Sequence, residues 1–296
     1  MFKNIVSGKD RFADILQWFI VLIALICGFV LPIFGITSAA VIALFLTFVF
    51  AIPHGIRRYG WKKLLLFFGI SFIIGNIYEN LSIKTGFPFG HYHYTVQPQL
   101  IHVPITIGLV YFGLGYISWL VASTLLDRAD ERLNLKERLG RFNVVALPLL
   151  AGAVMTMFDV GSDSVASTLN NTWIWHDGGG LFGVPYTNYL GWWLVTYTFF
   201  QVFALALAWA QTRAAKPIVA EQSLVQPTLI YLVLGLQSIG NFLYSSSGTV
   251  TDNAGVTWGV HALNESMMII NLFSLVIIGL LALAKIAQSN IEKARL

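Results

Sequence analysis

Residues 75–104, GNIYENLSIKTGFPFGHYHYTVQPQLIHVP, decide how the chain is read. The stretch begins inside an apolar helix and sets Asn76, Glu79 and Asn80 on one helical face. It leaves through a loop holding three of the chain's six histidines. In so apolar a setting, a carboxylate near a helix end lines a water-filled cavity or marks a working site.

Working outward, composition supports that setting. Hydrophobic residues make up 56% of the chain and charged residues 11%, with a mean hydropathy of +0.72. Soluble domains carry about 25% charged residues. The expected fold class is therefore all-α: a polytopic transmembrane helix bundle, residues 1–296 forming a single integral-membrane helical domain of a multi-pass cell-membrane protein. A sequence pI near 9.1 raises the question of nucleic acid, but the basic residues fall in short loops between spans, where the membrane accounts for them. The single cysteine, Cys27, lies mid-helix as a lipid-facing or packed thiol, which excludes a disulfide framework and a thiolate metal site.

Eight spans can be drawn from apolar runs, at 12–31, 35–52, 63–80, 104–126, 142–161, 190–211, 226–245 and 262–284. The first is too long for a signal-peptide core and no small-residue cleavage site follows it, so it is expected to stay as a signal anchor. With the N-terminus inside, seventeen of the eighteen Lys and Arg residues fall on the inner side, from Lys3 to Arg295, and only Lys84 falls outside. The positive-inside rule then places both termini in the cytoplasm. The charged segment 125–141, LLDRADERLNLKERLGR, reads as a solvated inner connector.

The topology sorts the polar residues of the spans by depth, and they collect at the outer end. Glu79 closes the third span, Asp159 and Asp163 the fifth; Asn241 lies near the outer end of the seventh, and His261, Asn264 and Glu265 open the eighth. Helical spacing lets three helices each turn a carboxylate towards one cavity. Packing is the alternative, each acid pairing with Asn, His or backbone to fix helix contacts. Four acids at one depth favour a site. Burial and neighbouring like charge both oppose ionisation, so an acid kept neutral there can serve as a general acid.

The outer loops add aromatic surface. An acidic helix end followed by a Gly- and aromatic-rich loop occurs at 79–94 and again at 159–185, a weak internal echo. Trp173 and Trp175 lie beside His176 and Asp177, and aromatic faces there can stabilise a cation. Trp192 and Trp193 read instead as an interfacial belt. His91, His93, His102, His176 and His261 raise a metal, but HYH is an i, i+2 pair in a loop and no HxxxH or ExxH helix motif occurs, so no metal site is assigned. The glycines 178–180 are no phosphate cradle, since no lysine follows and no strand precedes them.

YEN, TGFPFGHYHY and VPITIGLVYFGLGY within 78–116, FDVGSD at 158–163 and WIWHDGGGLFGVPYTNYLGWW at 173–193 resemble the integral-membrane carotenoid biosynthesis proteins. That family includes the gamma-carotene and bisanhydrobacterioruberin hydratases. The resemblance implies hydration of a terminal C=C bond on an acyclic carotenoid end group: protonation to a tertiary carbocation, then capture by water to give a tertiary alcohol. It implies no redox cofactor, and as partners the lipid-soluble carotenoid, membrane lipid and other enzymes of the carotenoid pathway. With this chemistry in view, Glu79 or the Asp159 and Asp163 pair are cast as proton donor and water activator, with Glu265 and His261 next. Tyr92, Tyr94, Trp173 and Trp175 would hold the cation or the polyene end, and Asn76, Asn80, Asn188, Asn241 and Asn264 complete the substrate-binding set. A proton-coupled transporter and a non-catalytic carotenoid-binding protein remain open; the absence of an inner acidic group to match the outer one counts against a through-path.

Overall fold

The computed structural model describes residues 8–295. Without water in a bilayer core the backbone must satisfy its own hydrogen bonds, and each long apolar run accordingly closes into a helix. Among the described residues eight long helices form: α1 (Arg11–Ile33), α2 (Thr37–Tyr59), α3 (Trp61–Thr85), α4 (Ile105–Leu125), α5 (Arg138–Val160), α6 (Tyr186–Arg213), α7 (Val225–Leu243) and α8 (Val260–Ala294). Each overlaps one of the eight expected spans, and the chain is a multi-pass membrane protein. All but α7 are long and apolar enough to cross a membrane by length and hydropathy alone. Helix α7 falls short because it carries Gln226, Gln237 and Asn241, buried or half-buried in the bundle, where lipid does not set the composition. It still runs the bundle's length. Ser223, just before α7, accepts from His54 at 2.9 Å at one end, while Tyr244, just after it, donates to the Ile33 carbonyl at 3.0 Å at the other.

Helix α4 is the axis. Residues 111–124 are buried without a break, as expected of a helix apolar on every side. Around it pack α2, α3, α5, α7 and α8, with α6 closing against α3 and α5. Close approach at α4 depends on Gly113, where an added Cβ would lie 2.5 Å from the Phe48 backbone nitrogen of α2.

The basic residues gather at one end of the bundle. There Arg57 pairs with Asp14 at 2.5 Å, Lys285 with Asp127 at 3.0 Å and Lys293 with Glu221 at 3.1 Å; Lys3 lies outside the described residues. At this end the structure corrects the reading of 125–141 as a solvated connector. The turn Ala129–Glu131 folds into the bundle and Asp130 is fully buried. The reason is Arg58, equally buried, whose guanidinium donates from Nε and Nη2 to the two Asp130 oxygens at 2.9 Å each. Tyr59 and Ser123 also donate to this carboxylate. Helix α2 therefore runs on past the expected boundary at 52, because Arg58 is an interior residue rather than a solvated one.

At the opposite end, short strands replace long loops. β1 (Tyr92–Tyr94) pairs antiparallel with β4 (Trp173–Trp175), β2 (Gln99–Leu100) with β3 (Val103–Pro104), and β5 (Thr249–Thr251) with β6 (Thr257–Gly259). The β1–β4 ribbon joins the two loops whose sequences echo one another.

Candidate active site

Helix α3 delivers Glu79 nearly two turns before its end at Thr85. Gly86, in the left-handed region at φ +79°, caps the helix through its N–H to Ser82 O at 2.7 Å. The Ser82 hydroxyl then donates to Gly90 O at 2.9 Å, folding the TGFPFG turn back over the helix end. The chain enters β1, whose register sets Tyr92 opposite Trp175 and Tyr94 opposite Trp173. Strand residues alternate faces, so these four aromatics share one face of the ribbon, with His93 and Ile174 on the other.

That face roofs a cavity of about 110 Å³. Its walls are Glu79 of α3, Tyr111 of α4, Phe158 and Asp159 of α5, Asp163 just beyond, and Asn188 and Trp192 of α6. Helix α5 ends at Val160; the chain turns at Gly161 and Ser162 and continues into a π-helical turn, Val165–Leu169. Asp159 and Asp163 thus straddle a helix break, and Asn188 joins them. One amide nitrogen donates to Asp159 Oδ2 at 2.7 Å and to Asp163 Oδ2 at 2.6 Å.

The three carboxyl groups differ in their partners. Glu79 accepts from three tyrosines: Tyr92, Tyr94 at 3.0 Å and Tyr111 at 2.7 Å. Burial, reinforced by the Glu79 charge, pushes the Tyr92 and Tyr94 phenols well above their ordinary range, which keeps them as donors. Asp163 accepts on Oδ1 from the Trp173 indole at 2.9 Å and the Trp175 indole at 3.4 Å, and on Oδ2 from Asn188. Indole and amide nitrogens can only donate, so this set suits a carboxylate. Asp159 has the Asn188 donor on Oδ2 and, among the described residues, no partner on Oδ1. An oxygen lining a cavity without a donor is where a proton can reside and be delivered.

Packed rings back these groups. Trp192 lies over Tyr111 with centroids 5.3 Å apart and planes 18° from parallel, and Trp175 against Tyr92 at 4.8 Å. Trp192 is therefore a cavity wall and not a belt residue. Trp193 is 41% exposed and donates to Leu149 O at 3.1 Å on the bundle's flank. The sequence reading assigns Trp192 to the belt and does not name Tyr111 as a site residue; a phenol inside an otherwise apolar run is the available signal for Tyr111.

Several expected site residues lie elsewhere. Asn76 and Asn80 hold the backbone of α3, each donating four residues back at 2.8 Å, and Asn80 also accepts from His102 N. Asn264 is buried but likewise turned back, onto Val260 O at 2.9 Å. His261 is exposed and meets Ser245 at 2.7 Å, and Glu265 is exposed. Asn241 is half-buried. None of these six lines the cavity. Helix α8 reaches the right depth but turns Glu265 away from it. His93 and His176 pair with each other at 2.8 Å on the ribbon's outer face. Among the described residues no three His, Cys, Asp or Glu side chains are grouped as metal ligands. The glycine run serves a tight turn: a Cβ on Gly179 would lie 2.1 Å from Val184 O.

The helices and the β1–β4 ribbon enclose a cavity at one end of the bundle, with acids on one side and rings around it. The chain belongs to the carotenoid biosynthesis protein family, whose model matches residues 20–250. The match takes in Glu79, Asp159, Asp163 and the ribbon and stops before α8. Among curated proteins and among solved structures nothing matches.

Proposed function

We propose that the protein is a carotenoid hydratase, adding water to the terminal C=C bond of an acyclic carotenoid end group. One observation carries this reading: in a chain of the carotenoid biosynthesis family, a single aromatic-walled cavity gathers three buried carboxyl groups, of which Asp159 alone has, among the described residues, an oxygen free of donors. Asp159 gives its proton to the less substituted alkene carbon, and the positive charge develops on the carbon bearing two methyl groups. Glu79 and Asp163, held as anions by three donors each, and the faces of Tyr92, Tyr94, Trp173, Trp175 and Trp192 stabilise that charge. Water adds to the cation and returns a proton to Asp159. Proton and charge balance over the cycle without a redox partner.

Transport is the weaker reading. Buried polar groups do exist at the basic end, where His54 hydrogen-bonds Tyr116 at 2.6 Å and Arg58 meets Asp130. Between them and the cavity lies a layer of rings, Phe67 packing on Phe112, Phe199, Phe200 and Phe203 at 4.8 to 6.2 Å. Along α4, Tyr111 at the cavity and Ser123 at the ion pair are roughly 18 Å apart. This ring layer opposes a proton path and favours water reaching the site from the ribbon end. We infer further that the basic end is cytoplasmic.

The test is expression in a bacterium that accumulates lycopene or its fifty-carbon relative, with extracted pigments weighed by mass spectrometry. A gain of one water per hydrated end is expected. Unchanged pigment with the protein in the membrane and both substrates tried would overturn the hydratase.

A further inference from the structure

The cavity has a second, different wall. Its carboxyl and amide side is buried, but the facing side is aliphatic and half-buried: Leu44 of α2 with Ile107 and Val110 of α4. Helices α2 and α5 each pack extensively along α4 and share at most a marginal contact with one another. Helix α7 bridges them lower down, where Tyr231 donates to Val154 O at 2.9 Å. Towards the cavity end α7 packs on α1 and α8, with Gly240 against the Pro32 backbone and Gly235 against Leu275. No residue of α7 or α8 lines the cavity. A gap between α2 and α5 is thus left beside α4 at cavity depth.

Size sets what can enter. An apolar cavity of about 150 Å³ takes a benzene ring; one of about 110 Å³ takes a branched five-carbon terminus and no substituted six-membered ring. A longer molecule must leave its remainder outside the cavity. The polar and aromatic walls are closed by hydrogen bonds, so the remainder can pass only over the aliphatic side.

We propose that Leu44, Ile107 and Val110 are the seat of the hydrocarbon chain adjoining the reacting terminus, and that a linear isoprenoid polyene reaches the acids through the gap between α2 and α5. This rests on the hydratase reading for the chemistry, while the seat itself is read from binding. The V110W substitution plugs the seat; L44A widens it. Ile73, on the lipid-facing side of α3 and 58% exposed, supplies the control I73W.

The experiment purifies each protein in detergent from cells accumulating lycopene, and separately from cells accumulating a carotenoid with ring ends. Bound pigment is read by absorbance per protein and hydrated pigment by mass spectrometry. Expected are at least a tenfold loss of bound lycopene in V110W, none in I73W, and ring-ended pigment retained by L44A but not by the unaltered protein. L44A keeps the test decisive if V110W does not fold. Lycopene held equally by V110W and the unaltered protein, or ring-ended pigment held equally by L44A and the unaltered protein, overturns the seat, even if alcohol is made. Loss of pigment in V110W with no alcohol from the unaltered protein keeps the seat and removes the hydratase.

Discussion

Asp159 and Asp163 share a donor and sit on either side of one turn, yet replacing each by asparagine should have unequal consequences for stability. In D159N the new amide can place its oxygen against Asn188 Nδ2, now at 2.7 Å from Asp159 Oδ2, and its NH2 into the cavity. No buried donor loses its acceptor, so the cost should stay within about 1 kcal/mol. In D163N either orientation sets the new NH2 against a donor: the Trp173 and Trp175 indoles on one side, Asn188 on the other. A buried donor left without an acceptor costs about 1–3 kcal/mol. Activity should divide differently. D159N removes the transferable proton, and loss of a positioned general acid typically lowers rate by about 10²–10⁴-fold.

The assay pairs thermal unfolding of the detergent-purified variants with mass spectrometry of pigments from the expressing cells. D159N should unfold close to the unaltered protein and make almost no alcohol while still holding pigment; D163N should unfold clearly earlier. If D159N kept more than about a tenth of the alcohol, or if D163N proved as stable as D159N, the reasoning from hydrogen-bond partners would be refuted.

Three further outcomes follow from the same geometry. Tyr92 and Tyr94 ionise near pH 10 when unfolded but are pushed well above that when folded, chiefly by burial. Their contribution to stability is therefore complete below about pH 10 and is lost as pH rises beyond it; Y92F should flatten this alkaline decline in thermal midpoint, and an unchanged slope would count against it. Removing one partner of the buried Arg58–Asp130 pair by D130N should cost about 3–5 kcal/mol, seen as a lower thermal midpoint, with alcohol per folded protein unchanged because the ring layer separates the two ends. Finally, E265Q and H261A, altering exposed groups outside the cavity, should hydrate normally, and a loss beyond about threefold in either would return α8 to the site.

How far the sequence reached depends on which coordinate a residue's position needed. Depth in the membrane is nearly one-dimensional: apolar runs fix the spans and each residue's place along them. Glu79, Asp159 and Asp163 were legible for that reason, and so was their gathering at one end. Direction around a helix axis was not. Glu265 has the right depth, but the face it occupies is decided by how α8 packs on α5 and α7, where Gly161 meets Asn271 and Gly235 meets Leu275. Pairing across long separations was equally hidden. Asp130 looked solvated because its partner Arg58 is 72 residues away, and Tyr92, Tyr94, Trp173 and Trp175 could be picked out as aromatic without the register that sets them on one face. Trp192 shows the limit most directly. Beside Trp193 it has the same composition, depth and neighbours in sequence, and only the ring of Tyr111 lying over it makes one a cavity wall and the other a surface residue. The aliphatic wall belongs to this second kind. Leu44, Ile107 and Val110 are ordinary residues of apolar helices, and only the gap that α7 leaves beside α4 distinguishes them from others that face lipid. Substitutions along that wall therefore probe packing that composition could not reveal.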